Sequence, residues 1–506
     1  MGRKAKTYAV VFGHCGPILI AMGWCLLVPL ALVIGCGEYK DGYATTLAFV
    51  GPAVIALVLG YVLKCCFASH AVNVPQAALI CCLGWLLCSA IGAVPFVLGI
   101  HSHYLDGYFE AMSGFTTTGI TVFTGLDSMP KSILFWRALT QWVGGLGILT
   151  MFLAANPGGS SHQLFGAEGH KIDVDRPVPG LVNTIRILLG IYCLFTLLII
   201  LGLWILGMPL FDSICHSFAA LATGGYSPHD ASIEYYRLNG YTNYIWLEYV
   251  LILGMILGGM SFVVHYRFLT VTRKAWFDNT ESRTWWRIIA LFVLLIVLER
   301  VIRVAPLTKT MAEGVSLWVR LEEEFRIALF QVVSVLTTTG FATRDIGTSY
   351  FGEAARQLFL LLMVIGGCVG STGGGIKILR IVILIKLVGR EIFCLRTPPN
   401  TIAFVIIDGE QVDVEEIQRV ATIFFAWMVL LAFGGGITEF LSDLNGYQAF
   451  SGMFSALGNV GPCYFSVDTM ASLHPIIKIT YIFGMLAGRL EILPLLLLFS
   501  RKAWTH

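Results

Sequence analysis

The stretch FEAMSGFTTTGIT, Phe109–Thr121, recurs in outline three more times along the chain. Cys215–Ser227 reads CHSFAALATGGYS, Phe330–Ala342 reads FQVVSVLTTTGFA, and Phe450–Pro462 reads FSGMFSALGNVGP. Each has a polar or acidic start, a short apolar stretch and a turn rich in Thr and Gly. Aligning the turns puts Gly119, Gly225, Gly340 and Gly461 in register, at intervals of 106 (225 − 119), 115 (340 − 225) and 121 (461 − 340) residues. Self-similarity at a long, nearly fixed period marks an internally repeated architecture. A single Thr/Gly turn between membrane helices would be unremarked; four in register call for a common purpose.

The surroundings of the repeats are set by composition. Hydrophobic residues make up 57% of the 506 residues and charged ones 13%, with a mean hydropathy of +0.78. A soluble surface needs roughly 25–35% charged residues, so lipid must solvate much of this exterior. A membrane-spanning helix needs about 20 apolar residues. Runs that read as full spans begin near Phe12, Thr45, Ala77, Ile133, Leu181, Ile245, Trp286, Arg356, Ala421 and Pro475. Each turn segment lies between two of these runs, too short to span and too apolar for an ordinary loop. It therefore reads as re-entrant, which lipid tolerates only where protein or a water-filled cavity covers the backbone. Four two-span repeats and two leading spans account for all ten runs. The expected fold is an all-α polytopic membrane protein: four helix–re-entrant pore loop–helix repeats with pseudo-fourfold symmetry, plus two N-terminal transmembrane helices. The expected divisions are residues 1–74 for the leading pair, then 75–170, 171–280, 281–400 and 401–506 for the repeats.

A net charge of +2 points to neither nucleic acid nor an acidic partner. Basic residues gather at the N-terminus, at Lys171, Arg176 and Arg186, from Arg267 to Arg287, at Lys386, Arg390 and Arg396, and at Arg501 and Lys502. The opposite loops are expected to carry Asp41, Asp106, Glu110, Asp230, Glu234, Glu322 to Glu324, Asp443 and Asp468. By the positive-inside rule the basic set marks the cytoplasm and leaves both termini there; Arg300, Arg303 and Lys309 are exceptions. Arg3, Lys4 and Lys6 precede an apolar run too long for a signal peptide, so it reads as an uncleaved first helix despite the lipobox-like Val33-Ile34-Gly35-Cys36. The thirteen cysteines, with the pairs Cys65/Cys66 and Cys81/Cys82 in apolar runs, show no metal-binding spacing and read as small apolar residues.

A naked cation cannot cross hydrocarbon unless something replaces its hydration shell, and segments converging on one axis can present rings of backbone carbonyls for that purpose. Glycine suits such a turn because it adopts positive φ freely. A short helix before the turn directs its partially negative C-terminal end at the ion. Asn459 and Val460 replace Thr in the fourth turn, so strict fourfold symmetry is not expected. The absence of acidic residues from the aligned turns favours a weakly hydrated monovalent ion over a divalent one. Spacing alone does not separate potassium from sodium.

The four imperfect motifs, TTTGI and TTTGF above all, resemble those of the Trk/Ktr/HKT superfamily of potassium transporters. The resemblance runs from about Pro75 to the C-terminus, and the two leading helices and length are most similar to the TrkH/TrkG branch. It implies that potassium is bound by carbonyls of Thr117, Thr118 and Gly119, of Thr223, Gly224 and Gly225, of Thr338, Thr339 and Gly340, and of Asn459, Val460 and Gly461. Members with Ser in the first filter position are associated with sodium; Gly119 stands there in this chain. Also implied are a potassium-uptake subunit of the bacterial inner (plasma) membrane, no enzymatic activity, no cofactor beyond K+ as the transported ion, a homodimer, and a cytoplasmic TrkA-type nucleotide-binding regulatory subunit. The loops Ser160–Pro179 and 396–414 are the expected docking surfaces. A proton- or sodium-coupled symporter, with Glu299 as a weak second-ion candidate, is the alternative, as is the membrane subunit of a potassium-pumping ATPase.

Between Gly366 and Gly375 the sequence GGCVGSTGGG holds six glycines in ten residues. Each costs a helix about 1 kcal/mol relative to Ala, so the helix should break there. The resemblance makes Gly370, Ser371, Thr372, Gly373, Gly374, Gly375 and Lys377 an obstructing loop beneath the filter. A nucleotide-phosphate loop would need a preceding strand, and passive close packing between helices is the other reading. Arg489 stands inside the last apolar run, where a charge costs roughly 2.5–3.5 kcal/mol. It is expected to contact the Gly370–Gly375 carbonyls and to act as part of the gate, since Glu491 lies only two residues away and off its helix face. His101, His103, Ser113 and His216 lack partners at any supporting spacing and read as loop or interface residues. Trp136, Trp142, Trp246, Trp285 and Trp286 are expected to include membrane-interface anchors.

Overall fold

The fold is described from a computed structural model over residues 3–41, 43–67, 72–147, 181–304, 316–398 and 403–504. It is all-helical apart from one two-stranded hairpin among these residues. Helices α1 (Arg3–Leu27) and α2 (Ala44–Cys66) form the leading pair. They touch backbone to backbone, since a Cβ on Gly16 would lie 2.7 Å from the Gly60 carbonyl and one on Gly60 2.7 Å from that of Gly16. Small residues allow this close approach, and in lipid such packing substitutes for the missing hydrophobic drive. Helix α3 (Val74–Gly92) opens with a capping box in which Asn73 and Gln76 bond each other's backbone N–H, with Pro75 in the first turn.

The first repeat continues with the pore helix α4 (Tyr104–Phe115) and the inner helix α5 (Lys131–Gly145). The second comprises α6 (Leu181–Ile205), the pore helix α7 (Leu210–Leu221), α8 (Tyr244–Gly259) and its bent continuation α9 (Phe262–Thr270). The third has α10 (Thr280–Glu299), the pore helix α11 (Leu317–Leu336), α12 (Glu353–Ile365) and α13 (Ile378–Arg396). The fourth has α14 (Val414–Phe440), the pore helix α15 (Gly446–Gly458), α16 (Pro475–Arg489) and α17 (Leu493–Leu498). Outward faces carry exposed large apolar residues, such as Val54, Ile55, Val58 and Tyr61 on α2 and Leu194, Leu197, Leu198 and Leu201 on α6. Their spacing forms a helical stripe that only lipid would leave in place.

The expectation of ten full spans needs correction. Helices occur at all ten places, but among the described residues five are long and apolar enough to cross a membrane, or six if the α8–α9 pair, bent by 103°, counts as one. The inner helices α5, α8, α12 and α16 have 15, 16, 13 and 15 residues. At about 1.5 Å per residue they fall short of a ~30 Å hydrocarbon core. Glycine explains where they stop. A Cβ on Gly144 or Gly488 would collide with the carbonyl of Phe115 or Leu457, the pore-helix ends of their own repeats, and one on Gly258 would lie 2.5 Å from that of Leu221. The inner helices press their last turns against the pore-helix ends and break there.

Candidate ion pathway

All four pore helices end identically. The residue after the last turn has left-handed backbone: Thr117 (φ 53°), Thr223 (φ 53°), Thr338 (φ 59°) and Asn459 (φ 54°). The next N–H reaches back to a carbonyl five residues earlier: Thr118 to Ser113 at 2.9 Å, Gly224 to Ala219 at 2.8 Å, Thr339 to Ser334 at 2.9 Å and Val460 to Ser455 at 3.0 Å. This is a Schellman cap, whose left-handed position ordinarily takes Gly or Asn. A β-branched Thr there is strained by about 1–3 kcal/mol, and such strain persists only where surroundings enforce it.

The glycine two residues on has positive φ in every repeat: 82° at Gly119, 76° at Gly225, 85° at Gly340 and 110° at Gly461. A Cβ on Gly119 would run into the Gly224 carbonyl, one on Gly225 into that of Thr339, and one on Gly340 into that of Val460. One on Gly461 would lie 3.0 Å from the Thr118 carbonyl, which closes the circle. The four turns therefore surround one axis in chain order, each glycine seated on its neighbour's backbone. A side chain at any of them meets both a forbidden φ and a carbonyl.

Behind the turns, the pore helices brace the ascending strands with a different residue in each repeat. Glu110 accepts from Val122 N at 3.1 Å, Gln331 from Thr343 N at 3.3 Å, and Ser451 from Tyr464 N at 2.9 Å. In repeat two His216 bonds Ser227 Oγ at 3.2 Å. Glu110 is fully buried and pairs with Arg137 at 2.9 Å; Arg137 also donates to Ser227 O and lies over the Tyr226 ring. Neither Glu110 nor Glu324, which pairs with buried Arg300, is a loop acid as expected; both are pore-helix residues whose charge is neutralised by an arginine. His216 and Ser113 likewise lie buried in pore helices rather than in loops or at an interface. Trp136 and Trp285 are core residues, whereas Trp246 is 62% exposed. Glu299 caps α12, accepting from Ala354 N at 3.0 Å and Ala355 N at 2.6 Å, and so is occupied structurally.

Beneath the ring, the chain from Gly366 to Lys377 runs as an irregular loop between α12 and α13, with positive φ at Gly366, Gly370, Gly375 and Lys377. Thr372 Oγ1 donates to Leu221 O or Gly258 O, at 3.0 and 2.9 Å, and lies 3.1 Å from Thr223 Oγ1. Gly374 N donates to Thr338 Oγ1 at 2.7 Å, and a Cβ on Gly374 would lie 2.8 Å from that of Asn459. Lys377 Nζ bonds back to Gly373 O. Arg489 Nη1 donates to Thr372 O at 2.5 Å and to Thr117 Oγ1 at 3.3 Å; its Nη2 reaches Gly144 O and Gly145 O at 2.6 and 2.9 Å. Loop and arginine together thus engage the left-handed residue of all four turns. Glu491 pairs with Arg380 at 2.5 Å. A partly open cavity of about 40 Å³ is bordered by Ser371, Lys377, Arg489 and Glu491.

The loop is tied on its far side as well, since Glu281 at the start of α10 accepts from Val369 N at 2.8 Å. Next to Glu281, Thr280 donates its N–H to Asp408 at 2.9 Å. Asp408 stands at the turn of the hairpin β1 (Ile406–Ile407) and β2 (Glu410–Gln411), inside the 396–414 segment. The other expected docking segment, Ser160–Pro179, lies outside the described residues.

Sequence reasoning missed Arg137, Glu281 and the inner-helix glycines. Gly144-Gly145, Gly258-Gly259 and Gly366-Gly367 recur after the turns, with Ala487-Gly488 in the fourth repeat. That recurrence was a readable signal.

Fold and site define a multi-pass helical membrane protein with four turns closed around one axis. A family profile described as TrkH, cation transport protein, matches residues 48–505. The TrkH potassium uptake proteins of Salmonella typhimurium and Escherichia coli are each 31% identical to this chain, over 96% of it and 97% of the former, and 97% of it and 98% of the latter. The crystal structure of the potassium transporter TrkH from Vibrio parahaemolyticus superimposes with a TM-score of 0.83 at 27% identity, covering 98% of this chain and 99% of that one. The chain belongs to the TrkH family of cation transport proteins.

Proposed function

We propose that this chain is the potassium-translocating subunit of a Trk-type uptake system, passing K+ through the ring of turns. The observation that carries the reading is the closed circle in which Gly119, Gly225, Gly340 and Gly461 each rest on the next turn's carbonyl. Such a ring offers backbone oxygens from four segments at fixed separation, the chemistry that replaces the hydration shell of a monovalent cation. Residues 1–74 serve as the leading helix pair, and 75–170, 171–280, 281–400 and 401–506 as the four repeats. Residues 370–375, Lys377 and Arg489 form the gate, closed in this conformation, with Arg489 adding positive charge below the ring. No cofactor or catalytic group takes part. The protein resides in the bacterial inner membrane with both termini cytoplasmic and works as a homodimer under a nucleotide-binding regulatory subunit of the TrkA type, which docks on the 396–414 segment. Occupation of Glu299 by the α12 N-terminus favours passive conduction over ion-coupled symport.

The test is rubidium uptake into liposomes holding the purified chain, with potassium, sodium and lithium as competitors, for the native protein and for Arg489→Ala. Uptake blocked by potassium and indifferent to sodium supports the reading. Silence from both proteins overturns it, and uptake that requires an imposed proton or sodium gradient replaces the channel with a symporter.

A further inference from the structure

The second turn differs from the other three at one position. At the position before the ring glycine the other repeats carry a side chain: Thr118, Thr339 and Val460. Repeat two carries Gly224, whose φ is not in the left-handed region, so backbone conformation does not require glycine there. Space does. The three atoms nearest to a Cβ on Gly224 all belong to Gln141, with Oε1 at 2.7 Å and Nε2 at 2.8 Å.

Gln141 comes from α5, the inner helix of repeat one, and is completely buried. Its Nε2 donates to the Gly224 carbonyl at 2.6 Å, and its Oε1 accepts from Tyr226 N at 3.0 Å. The side-chain amide pairs with the ring backbone on both sides of Gly225, as an adjacent β-strand would. The equivalent carbonyls of Thr118, Thr339 and Val460 accept no hydrogen bond among the described residues. The ring level made by these four oxygens thus has three unbound carbonyls and one held by an amide.

We infer that Gln141 is a positioning residue that sets ion selectivity by holding the Gly224 peptide. Favouring a larger cation over a smaller one requires carbonyls that resist leaning inward. A carbonyl whose oxygen is held by a short hydrogen bond, from an amide that is itself fixed by a second bond to Tyr226 N, does so. Its lone-pair density is also shared with the amide, which weakens the pull on a small, strongly polarising ion. The glycine at 224 and the glutamine at 141 are one device, with the amide occupying the volume that a side chain fills in the other repeats.

The inference rests on the proposed cation pathway, and the test separates the two. Competition by sodium against rubidium uptake is measured in liposomes for Gln141→Glu, Gln141→Leu, Gly224→Ser and Gln141→Ala/Gly224→Ser, in whichever background, native or Arg489→Ala, conducts. Gln141→Glu keeps the shape and the acceptor for Tyr226 N while its ionised form offers no donor to Gly224. We expect sodium to compete several-fold better in both position-141 variants, with rubidium uptake retained. Gly224→Ser alone should lose discrimination because its side chain meets Gln141, and the double variant should discriminate better than Gly224→Ser. A rubidium preference that is native in Gln141→Glu and Gln141→Leu overturns the inference, as does strict additivity in the double variant. A protein that never prefers rubidium over sodium overturns the pathway itself. Monodispersity in detergent identifies any variant that fails to fold, and the remaining ones then decide.

Discussion

Arg489 and Thr372, 117 residues apart (489 − 372), meet below the ring with Nη1 2.5 Å from the threonine carbonyl. The same guanidinium spends its other hydrogen bonds on Thr117 and on the last carbonyls of α5. A cation at the C-terminal end of one helix, grasping the loop that interrupts another, fastens the loop from below. A hydrogen bond from a charged group contributes about 1.5–3 kcal/mol, so removing it should shift a closed–open balance by about tenfold or more. Arg489→Gln is expected to raise basal rubidium uptake by that order, and an unchanged uptake would show that the arginine does not hold the pathway shut.

Glu281 should act in the same direction from the opposite side. Its bond to Val369 N anchors the loop to α10, and its neighbour Thr280 is bonded to Asp408 of the hairpin. Glu281→Gln keeps the acceptor and should leave basal uptake near native. Glu281→Ala should raise it several-fold, and Asp408→Ala by less, because that bond is one step further from the loop. Stopped-flow flux on the three variants checks the order.

Gly119 is a point at which the ring has no room for a side chain. With φ at 82°, any other residue is strained by about 1–2 kcal/mol, and its Cβ collides with the Gly224 carbonyl. Gly119→Ala should therefore disturb the second turn as well as the first and lower potassium-over-sodium discrimination by about tenfold or more, that is about 1.4 kcal/mol. Gly389→Ala on α13 meets nothing within 4 Å and serves as the control, with native selectivity expected.

The Glu110–Arg137 pair should behave as a buried salt bridge does. Removing one partner strands the other charge, at a cost of about 3–5 kcal/mol. Arg137→Met is expected to lower the thermal midpoint in detergent sharply, and adding Glu110→Met to restore part of the loss. A double variant worse than the sum of the singles would contradict the pairing.

His229 links the outer loops of repeats one and two. Its Nδ1 lies 2.5 Å from Asp127 and its Nε2 3.1 Å from Asp212, with Tyr235 stacked on the ring, Tyr236 at its edge and the His216 ring nearly parallel at 6.5 Å. Burial alone would lower its pKa, but the hydrogen bonds to Asp212 and Asp127 and the charges of both outweigh this and raise it above the usual histidine value. A raised pKa contributes stability that is complete below the unfolded value near 6.5 and lost as pH rises through the folded value. Thermal stability should accordingly decline as pH rises above the ordinary histidine value of about 6.5, and His229→Gln should flatten that decline.

Much of this protein was legible before any coordinates. The ten apolar runs each mark a helix, because a stretch that must satisfy its backbone in lipid has little alternative. The register of Gly119, Gly225, Gly340 and Gly461 was readable because each sits at the same offset from a recurring pattern. The break at Gly366 was readable because six glycines cannot stay helical. Helix lengths were misjudged: hydropathy reports apolarity, and the inner helices stay apolar past the point where contact with a pore-helix carbonyl ends them. Glu110 was misplaced because an acid next to an apolar run looks the same from the sequence whether it faces water or an arginine 27 residues away (137 − 110).

The sequence by itself determined that this is a helical membrane protein with four Thr/Gly turns, since periodicity and hydropathy are properties of the local chain. Only the tertiary structure decided that the turns close into a ring, that Arg489 grips Thr372, and that Gln141 takes the place of a side chain at Gly224. Those relationships join residues from 83 (224 − 141) to 343 (461 − 118) positions apart. They depend on distances of a few ångströms between helices, which no single segment encodes and which only the packing of all four repeats sets.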